Sequence, residues 1–129
     1  MTGATHAEVR AMRHFRHLDR PTLDRLFLHH PQPFGHADAR ERLAVALGAT
    51  LYVPATRRDL VATIVRRSAE GVSSMVLDLE DAVADDEVED GLRNAVATLD
   101  ELALSGEAPM MLFVRVRTPD GIDRLTEML

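Results

Sequence analysis

The chain has 129 residues, a formal net charge of −6 at pH 7 and 46% hydrophobic residues. This length predicts one folded domain, and the acidic balance argues against a general nucleic-acid binder, which needs a basic face. The sequence has no Cys and no Lys, so disulfides, zinc–thiolate sites and Schiff-base chemistry on a lysine are excluded. No apolar run is long enough to span a membrane and the N-terminus does not resemble a secretory signal, so we expect a cytoplasmic protein.

Residues 1–37 form a predicted N-terminal arm, which contains all six His and which we expect to be irregular and partly detached. Within it a short helix is predicted at residues 22–29, and a second helix is predicted at residues 37–47, just before a glycine. Two pairs of His are interpreted as solvated rather than metal-binding, because the chain lacks Cys and acids at matching spacing: His14 with His17, and His29 with His30.

From residue 50 onward three apolar runs alternate with three amphipathic segments. This order predicts right-handed strand–helix–strand crossovers and a parallel sheet. The strands are predicted at residues 51–54, 75–79 and 110–116. The helix after the first strand is predicted to begin at a Thr56–Asp59 capping box and to end at Gly71. The helix after the second strand is predicted to be capped by Asp85 or Asp86 and to end at Gly106. The last helix is predicted to begin at Thr118 and Pro119.

The predicted fold class is α/β: the N-terminal three βα units of a TIM (β/α)₈ barrel, preceded by the helical and irregular arm. A complete barrel takes about 250 residues, so we expect residues 38–129 to form an incomplete barrel. Either the sequence is part of a longer protein, which we favour, or a short chain closes its sheet by self-association.

Charged side chains gather at the ends of the second and third predicted strands. Because side chains alternate along a strand, Asp78 and Glu80 share one face of the second strand, Asp81 follows it, and Arg115 and Arg117 share one face of the third. If the apolar faces pack against helices, these groups meet at the carboxyl rim, where barrel active sites lie. They form either a site that binds an anionic substrate through the planar guanidinium of an Arg, or an ion-pair network that only fixes strand register.

Three motifs, in this order, resemble the first three strands of the citrate lyase β-subunit-like proteins of the HpcH/HpaI aldolase group. They are Thr50–Ala55 (TLYVPA), Met75–Val83 (MVLDLEDAV) and Phe113–Arg117 (FVRVR). The resemblance covers about residues 44–119, and the acidic string is its most specific part. It implies a TIM barrel that cleaves or forms a carbon–carbon bond in a 3-hydroxy acid or its CoA thioester, through an enolate and with Mg²⁺.

The resemblance also implies roles for particular residues. Arg115 and Arg117 would bind the small anionic substrate, and Glu80 and Asp81 would be the catalytic acidic pair, in contact with water on the magnesium rather than with the metal itself. The family's direct metal ligands lie on later strands, so none is expected in this chain. Two departures stand out: Arg117 replaces the usual Asn, and Ala49–Thr50 replaces a frequent Arg-Ser.

Two other functions stay open. The chain is alternatively a non-catalytic fragment or assembly module, whose open parallel sheet pairs with another subunit. A magnesium–enolate barrel of the phosphoenolpyruvate-mutase type is a third, weaker interpretation. In each case we expect a homo-oligomer that binds neither nucleic acid nor membrane.

Overall fold

The structure, a computed structural model, describes residues 11–106 and 110–129. A short 3-10 turn, Asp85–Glu87, precedes the longest helix. In chain order the helices and strands are α1 (Arg20–Leu26), α2 (Arg40–Ala46), β1 (Leu51–Pro54), α3 (Leu60–Ala69), β2 (Ser74–Asp78), α4 (Val88–Ser105), β3 (Met111–Arg115) and α5 (Asp120–Met128).

The three strands form one parallel sheet in the order β1-β2-β3. Each pair of neighbouring strands is joined by a helix, as the alternation of apolar runs and amphipathic segments predicts. The register places Pro54, Asp78 and Arg115 side by side at the carboxyl end of the sheet. The predicted fold class, a partial (β/α) barrel with a three-stranded parallel sheet, is confirmed.

The two faces of the sheet differ in what covers them. One face packs on α3 and α4 in a core that includes Val53, Met75, Leu77, Leu60, Ile64, Leu92 and Ala95. On the other face, Tyr52 and Phe113 flank the buried Val76 and are themselves 55% and 46% exposed. The helices therefore cover one side of the sheet, and the side that would face a barrel interior is largely open.

The ends of several elements differ from the prediction. Thr56 does not cap α3: the cap position is Asp59, whose carboxylate pairs with Arg57 and accepts a hydrogen bond from Thr63 instead of capping the helix. Neither Asp85 nor Asp86 caps α4, since both lie in the 3-10 turn before it. The capping patterns are local, and here a nearby Arg and a tighter turn compete with them.

Three further boundaries move by one or a few residues. β2 begins and ends one residue earlier than predicted and β3 is shorter at both ends, while Pro119 rather than Thr118 occupies the cap position of α5. The predicted glycine stops are confirmed: Gly71 and Gly106 follow α3 and α4 with φ of 100° and 65°. A positive φ is strained for residues with a Cβ, so glycine suits both helix ends.

The arm is not detached in its described part. Met12 and Phe34 form an isolated antiparallel bridge and are buried together with Ala46 and with Met111 at the start of β3. The arm helix α1 begins earlier than predicted, because the Asp19 carboxylate accepts a hydrogen bond from the Thr22 N–H. The arm thus packs at the amino end of the sheet, opposite the charged carboxyl end.

Two of the arm His have partners, contrary to the prediction that they are solvated. His14 is half-buried, stacks near Phe34 and donates from Nε2 to the carbonyl of Ala46 at 3.0 Å. His30 lies 2.7 Å from the Asp24 carboxylate. Among the described residues, no helix is long and apolar enough to cross a membrane.

Candidate active site

The centre of the charged group is an ion pair between adjacent strands. Asp78 ends β2 and Arg115 ends β3, and the register sets them side by side. The guanidinium donates from Nε to Oδ1 and from Nη2 to Oδ2 of Asp78, both at 2.7 Å. Two parallel N–H···O bonds of this kind fix both the distance and the plane of the guanidinium.

Two more carboxylates reach the same guanidinium. Nη2 of Arg115 also donates to Asp81 at 2.9 Å, and Nη1 lies 3.2 Å from Glu80. The ring of Tyr52 on β1 lies below the guanidinium, with its centroid 5.4 Å from Cζ. The structure therefore brings together the three side chains that the sequence singles out at this rim, Glu80, Asp81 and Arg115.

The three carboxylates differ strongly in solvent access. The Asp78 side chain is 4% exposed, whereas those of Glu80 and Asp81 are 43% and 78% exposed. Hydrogen bonds from Arg115 hold the pKa of Asp78 below its ordinary value, and donation of these bonds to Asp78 raises the pKa of Arg115 above its own. Asp78 and Arg115 are thus fixed in their charged forms, with the exposed acids at the solvent side.

The chain turns sharply after β2, which explains how consecutive acids reach one guanidinium. The Leu79 N–H donates to the Arg115 carbonyl and extends the sheet by one bond, at 3.0 Å. The Glu80 N–H then donates to Oδ1 of Asp78, also at 3.0 Å, which is the local turn that an Asp side chain favours. Leu79 and Val83 are buried on either side of the turn and anchor it to the core.

Arg117 lies near this site but has different partners. Its Nη2 donates to the carbonyl of Glu80 at 3.0 Å and to the carbonyl of Val83 at 2.5 Å. Its Nη1 pairs with the carboxylate of Asp85. These contacts direct Nη1 and Nη2 of Arg117 to the turn after β2, and its predicted substrate-binding role stays a prediction.

Two acids after the turn form ion pairs although they are exposed to solvent: the side chains of Asp85 and Glu89 are 96% and 50% exposed. Asp85 binds Arg117, and Glu89 binds Arg124 across the space between α4 and α5. These contacts tie the start of α4 to the end of β3 and to α5.

The positions of these carboxylates also show whether they could hold a metal ion. No group of three or more His, Asp or Glu in residues 11–106 and 110–129 is arranged to hold one. The carboxylates of Asp78, Glu80 and Asp81 are turned towards Arg115. These residues therefore do not form a complete magnesium site by themselves.

Comparison with protein-family models gives one match. The model described as "C-C_Bond_Lyase of the TIM-Barrel fold" matches residues 41–129. The chain belongs to this C–C bond lyase family. The match begins within α2 and includes all three strands, so it contains both ends of the Asp78–Arg115 pair. Comparison with curated proteins and with solved structures found no match.

Two residues at this site have no functional role predicted from the sequence. Asp78 was expected to face the barrel interior, but not to be the main partner of Arg115. The sequence could have indicated this role, because Asp78 is the single acid inside the apolar run Met75–Leu79 and a buried charge needs a partner. Tyr52 has no such signal, because its position over the guanidinium depends on the register between β1 and β3.

Proposed function

We propose that this chain carries part of the active site of a magnesium-dependent carbon–carbon lyase. Its substrate would be a 3-hydroxy acid or the corresponding CoA thioester, as in the citrate lyase β-subunit-like proteins that the three motifs resemble. The observation that carries the proposal is a guanidinium fixed by Asp78 at the carboxyl end of the sheet, yet 32% exposed. Family membership and the position at the carboxyl rim of a (β/α) barrel support it.

Arg115 has room for an anionic ligand. A guanidinium carries five N–H groups, and the contacts to Asp78, Asp81 and Glu80 engage four of them among the described residues. One N–H of Nη1 is left for a carboxylate or enolate oxygen. The two exposed acids can also be displaced by a ligand, because an ion pair in contact with water is worth little.

The reaction would be a retro-aldol cleavage or its reverse. The 3-hydroxyl loses its proton, the bond between C2 and C3 breaks, C3 becomes a carbonyl, and the electron pair moves to C2 as an enolate. A fixed cation at the enolate oxygen lowers the free energy of this step. Arg115 would hold that oxygen, while Glu80 and Asp81 orient the guanidinium. One of these two exposed carboxylates would accept the hydroxyl proton and return it to C2, which completes the product.

The charge balance supports a divalent cation as partner. Asp78, Glu80 and Asp81 bring three negative charges to one guanidinium, so an anionic substrate would enter a site that is already negative. Mg²⁺ would offset this charge and, when bound, act as a Lewis acid at the enolate oxygen. Its direct ligands would come from outside the described residues, with Glu80 and Asp81 in contact with its water.

The test compares Arg115 with an Arg of similar type away from the site. Because the chain carries only part of the active site, the measured quantity is binding: the full chain is titrated with 3-hydroxybutyrate and with its CoA thioester, in MgCl₂ or in EDTA. We expect tighter binding in MgCl₂, and a loss of about tenfold or more in affinity for Arg115→Lys, because lysine lacks the planar fork. Arg93→Lys on α4, where Arg93 is 61% exposed, should stay within about twofold of the parent protein.

The site of binding is checked on the same samples. The Nε–H resonance of Arg115 should shift when either compound is added to the parent protein. A folded protein that binds neither compound contradicts the proposal, as does equal affinity of Arg115→Lys and the parent protein. Binding that is equally tight in EDTA removes magnesium from it.

A second candidate function is assembly through the open face of the sheet. Tyr52 and Phe113 on that face are 55% and 46% exposed, and both outer strands have a free edge. Uncovered apolar surface and free strand edges favour association. Sedimentation velocity distinguishes this candidate: a stable, folded monomer of 14.3 kDa at high concentration would contradict both the assembly module and the homo-oligomer that we propose.

A cytoplasmic location is proposed with either function, since a chain without Cys gains nothing from an oxidising compartment.

A further inference from the structure

Arg117 connects the end of β3 to the turn that follows β2. Its contacts fall on three points of that turn: the carbonyls of Glu80 and Val83, at 3.0 and 2.5 Å, and the carboxylate of Asp85. Its side chain is 29% exposed, whereas that of its partner Asp85 is 96% exposed. The guanidinium contacts the main chain of Glu80, while the side chain of Glu80 contacts a different Arg.

Other contacts also restrain the turn, and they include a backbone hydrogen bond from Ala82 to the Asp78 carboxylate. Its first residue is held by the bond from the Leu79 N–H to the Arg115 carbonyl, and the Val83 side chain is buried. Between these points the Glu80 N–H is bound to Asp78 at 3.0 Å and the Val83 N–H to the Glu80 carbonyl at 3.3 Å. The carbonyl of Glu80 therefore accepts from both Val83 and Arg117, and the carbonyl of Val83 from Arg117.

We propose that Arg117 is a positioning residue, which holds the turn so that Glu80 and Asp81 reach Arg115, and that it does not bind substrate. This inference rests on the proposed function only in taking the group around Arg115 as the active site. The positive charge of Arg117 is neutralised by Asp85, and its Nη2 is shared between two carbonyls. The residue acts through the backbone of the turn rather than on a reacting atom.

The chemistry of the side chain explains why Arg suits this position. A planar guanidinium presents several N–H groups in fixed directions, so one side chain can bridge two carbonyls and a carboxylate. A lysine ammonium keeps the charge without the fork. A glutamine amide keeps two N–H donors without the charge, and so loses the pair with Asp85.

The experiment compares Arg117→Lys and Arg117→Gln with the parent protein by hydrogen exchange. The reporters are the amides of Glu80 and Val83, both hydrogen-bonded within the turn. We expect their exchange to speed up by about tenfold or more in both variants, since each lost bond loosens the turn locally. Amides of α3 should be unchanged, which shows that the variants are folded.

Arg124→Gln is the matched control. Arg124 lies on α5, pairs with Glu89 on α4 and is 51% exposed, so its removal also costs one ion pair close to the site. It should leave the Glu80 and Val83 amides unchanged. Equal exchange of these two amides in the parent protein and in Arg117→Gln would overturn the inference.

Titration with 3-hydroxybutyryl-CoA in MgCl₂ separates positioning from substrate binding. In Arg117→Gln the Nε–H resonance of Arg115 should already move in the free protein, because Glu80 and Asp81 are misplaced, while the affinity for the compound changes little. A weaker affinity with an unchanged Arg115 resonance would instead make Arg117 a substrate-binding residue and overturn the inference. If the parent protein does not bind the compound, the proposed function fails, and the exchange of the two amides still decides the role of Arg117.

Discussion

At the scale of single residues, neighbouring acids of one short segment have different physical roles. Asp78 is 3% exposed and gives both oxygens to Arg115, whereas Asp81 gives one oxygen and keeps most of its surface in water. A charge that is nearly buried has lost its hydration and depends on its partner, while a charge at the surface does not. Asp78 is therefore expected to matter for folding, and Asp81 mainly for the site.

Replacing these two acids tests that difference. Asp78→Asn should lower the free energy of unfolding by about 1.5–3 kcal/mol, the range for a hydrogen bond to a charged group. Asp81→Asn should cost less than about 1 kcal/mol, as exposed ion pairs do. Urea unfolding at pH 7 measures both changes, and equal costs for the two variants would contradict the distinct roles.

The pH dependence gives a second measurement on the same variants. The pKa of Asp78 is lowered from its ordinary value of 3.8, so the folded state binds the proton less readily than the unfolded chain does. The stability that the pair contributes is fully present above that value and is lost as the pH falls through the lower, folded pKa. The stability of Asp78→Asn should accordingly fall less between about pH 5 and pH 2 than that of the parent protein.

At the scale of elements, α4 fixes the carboxyl ends of both β1 and β2. Asn94 donates to the carbonyls of Ala55 and Arg57, at 2.7 and 2.8 Å, and so holds the loop after β1. One turn earlier, Gly91 lies so close to the strands that an added Cβ would be 2.7 Å from Leu79. The helix approaches closely because this position has no side chain.

This contact reverses the expectation from helix propensity. Gly in a helix costs about 1 kcal/mol relative to Ala, so the sequence alone predicts that Gly91→Ala stabilises the protein. Since Leu79 is only 2% exposed, the added methyl has to displace packed groups, at a cost of about 1–3 kcal/mol. We expect a lower melting temperature for Gly91→Ala, and little change for Gly35→Ala, where no atom lies within 4 Å of an added Cβ. A higher melting temperature for Gly91→Ala would show that propensity outweighs packing.

At the scale of the whole molecule, the arm and the rim that carries the candidate active site lie at opposite ends of the sheet. Phe34 and Met12 are 4% and 3% exposed and pack on Met111 at the amino end of β3. The arm therefore closes that end with apolar side chains, while the carboxyl end carries the charged ones. Stability and catalysis are expected to respond to changes at different ends of the molecule, as is usual in (β/α) barrels.

Truncation of one arm side chain tests this separation. Phe34→Ala should lower the free energy of unfolding by about 3–5 kcal/mol, because it leaves a cavity among buried apolar groups. Leu28→Ala, also in the arm but 93% exposed, should change it by less than about 0.5 kcal/mol. Urea unfolding measures both, and an unaffected Phe34→Ala protein would show that the arm is detachable after all.

The sequence by itself determined the α/β class, the three parallel strands and the approximate position of every helix. These depend on the period of apolar residues and on glycine at helix ends, and both are local properties of the chain. It also determined that acids after β2 and arginines after β3 share one rim, because alternation along a strand and parallel order suffice for that. The strand ends and helix caps moved by a few residues, since side chains such as Arg57 compete for the capping group.

Only the tertiary structure decided which charged groups are partners. Arg115 and Arg117 have the same charge and are predicted to share one strand face, yet Arg115 ends β3 and binds carboxylates at the rim, whereas Arg117 lies beyond β3 and binds the backbone of the turn after β2. That outcome depends on the register between β2 and β3 and on the path of the chain from Leu79 to Val83. Neither of these can be predicted from a local sequence pattern. The burial of the arm could not be predicted from the sequence either, because Met12 contacts Met111 only after the intervening chain has folded.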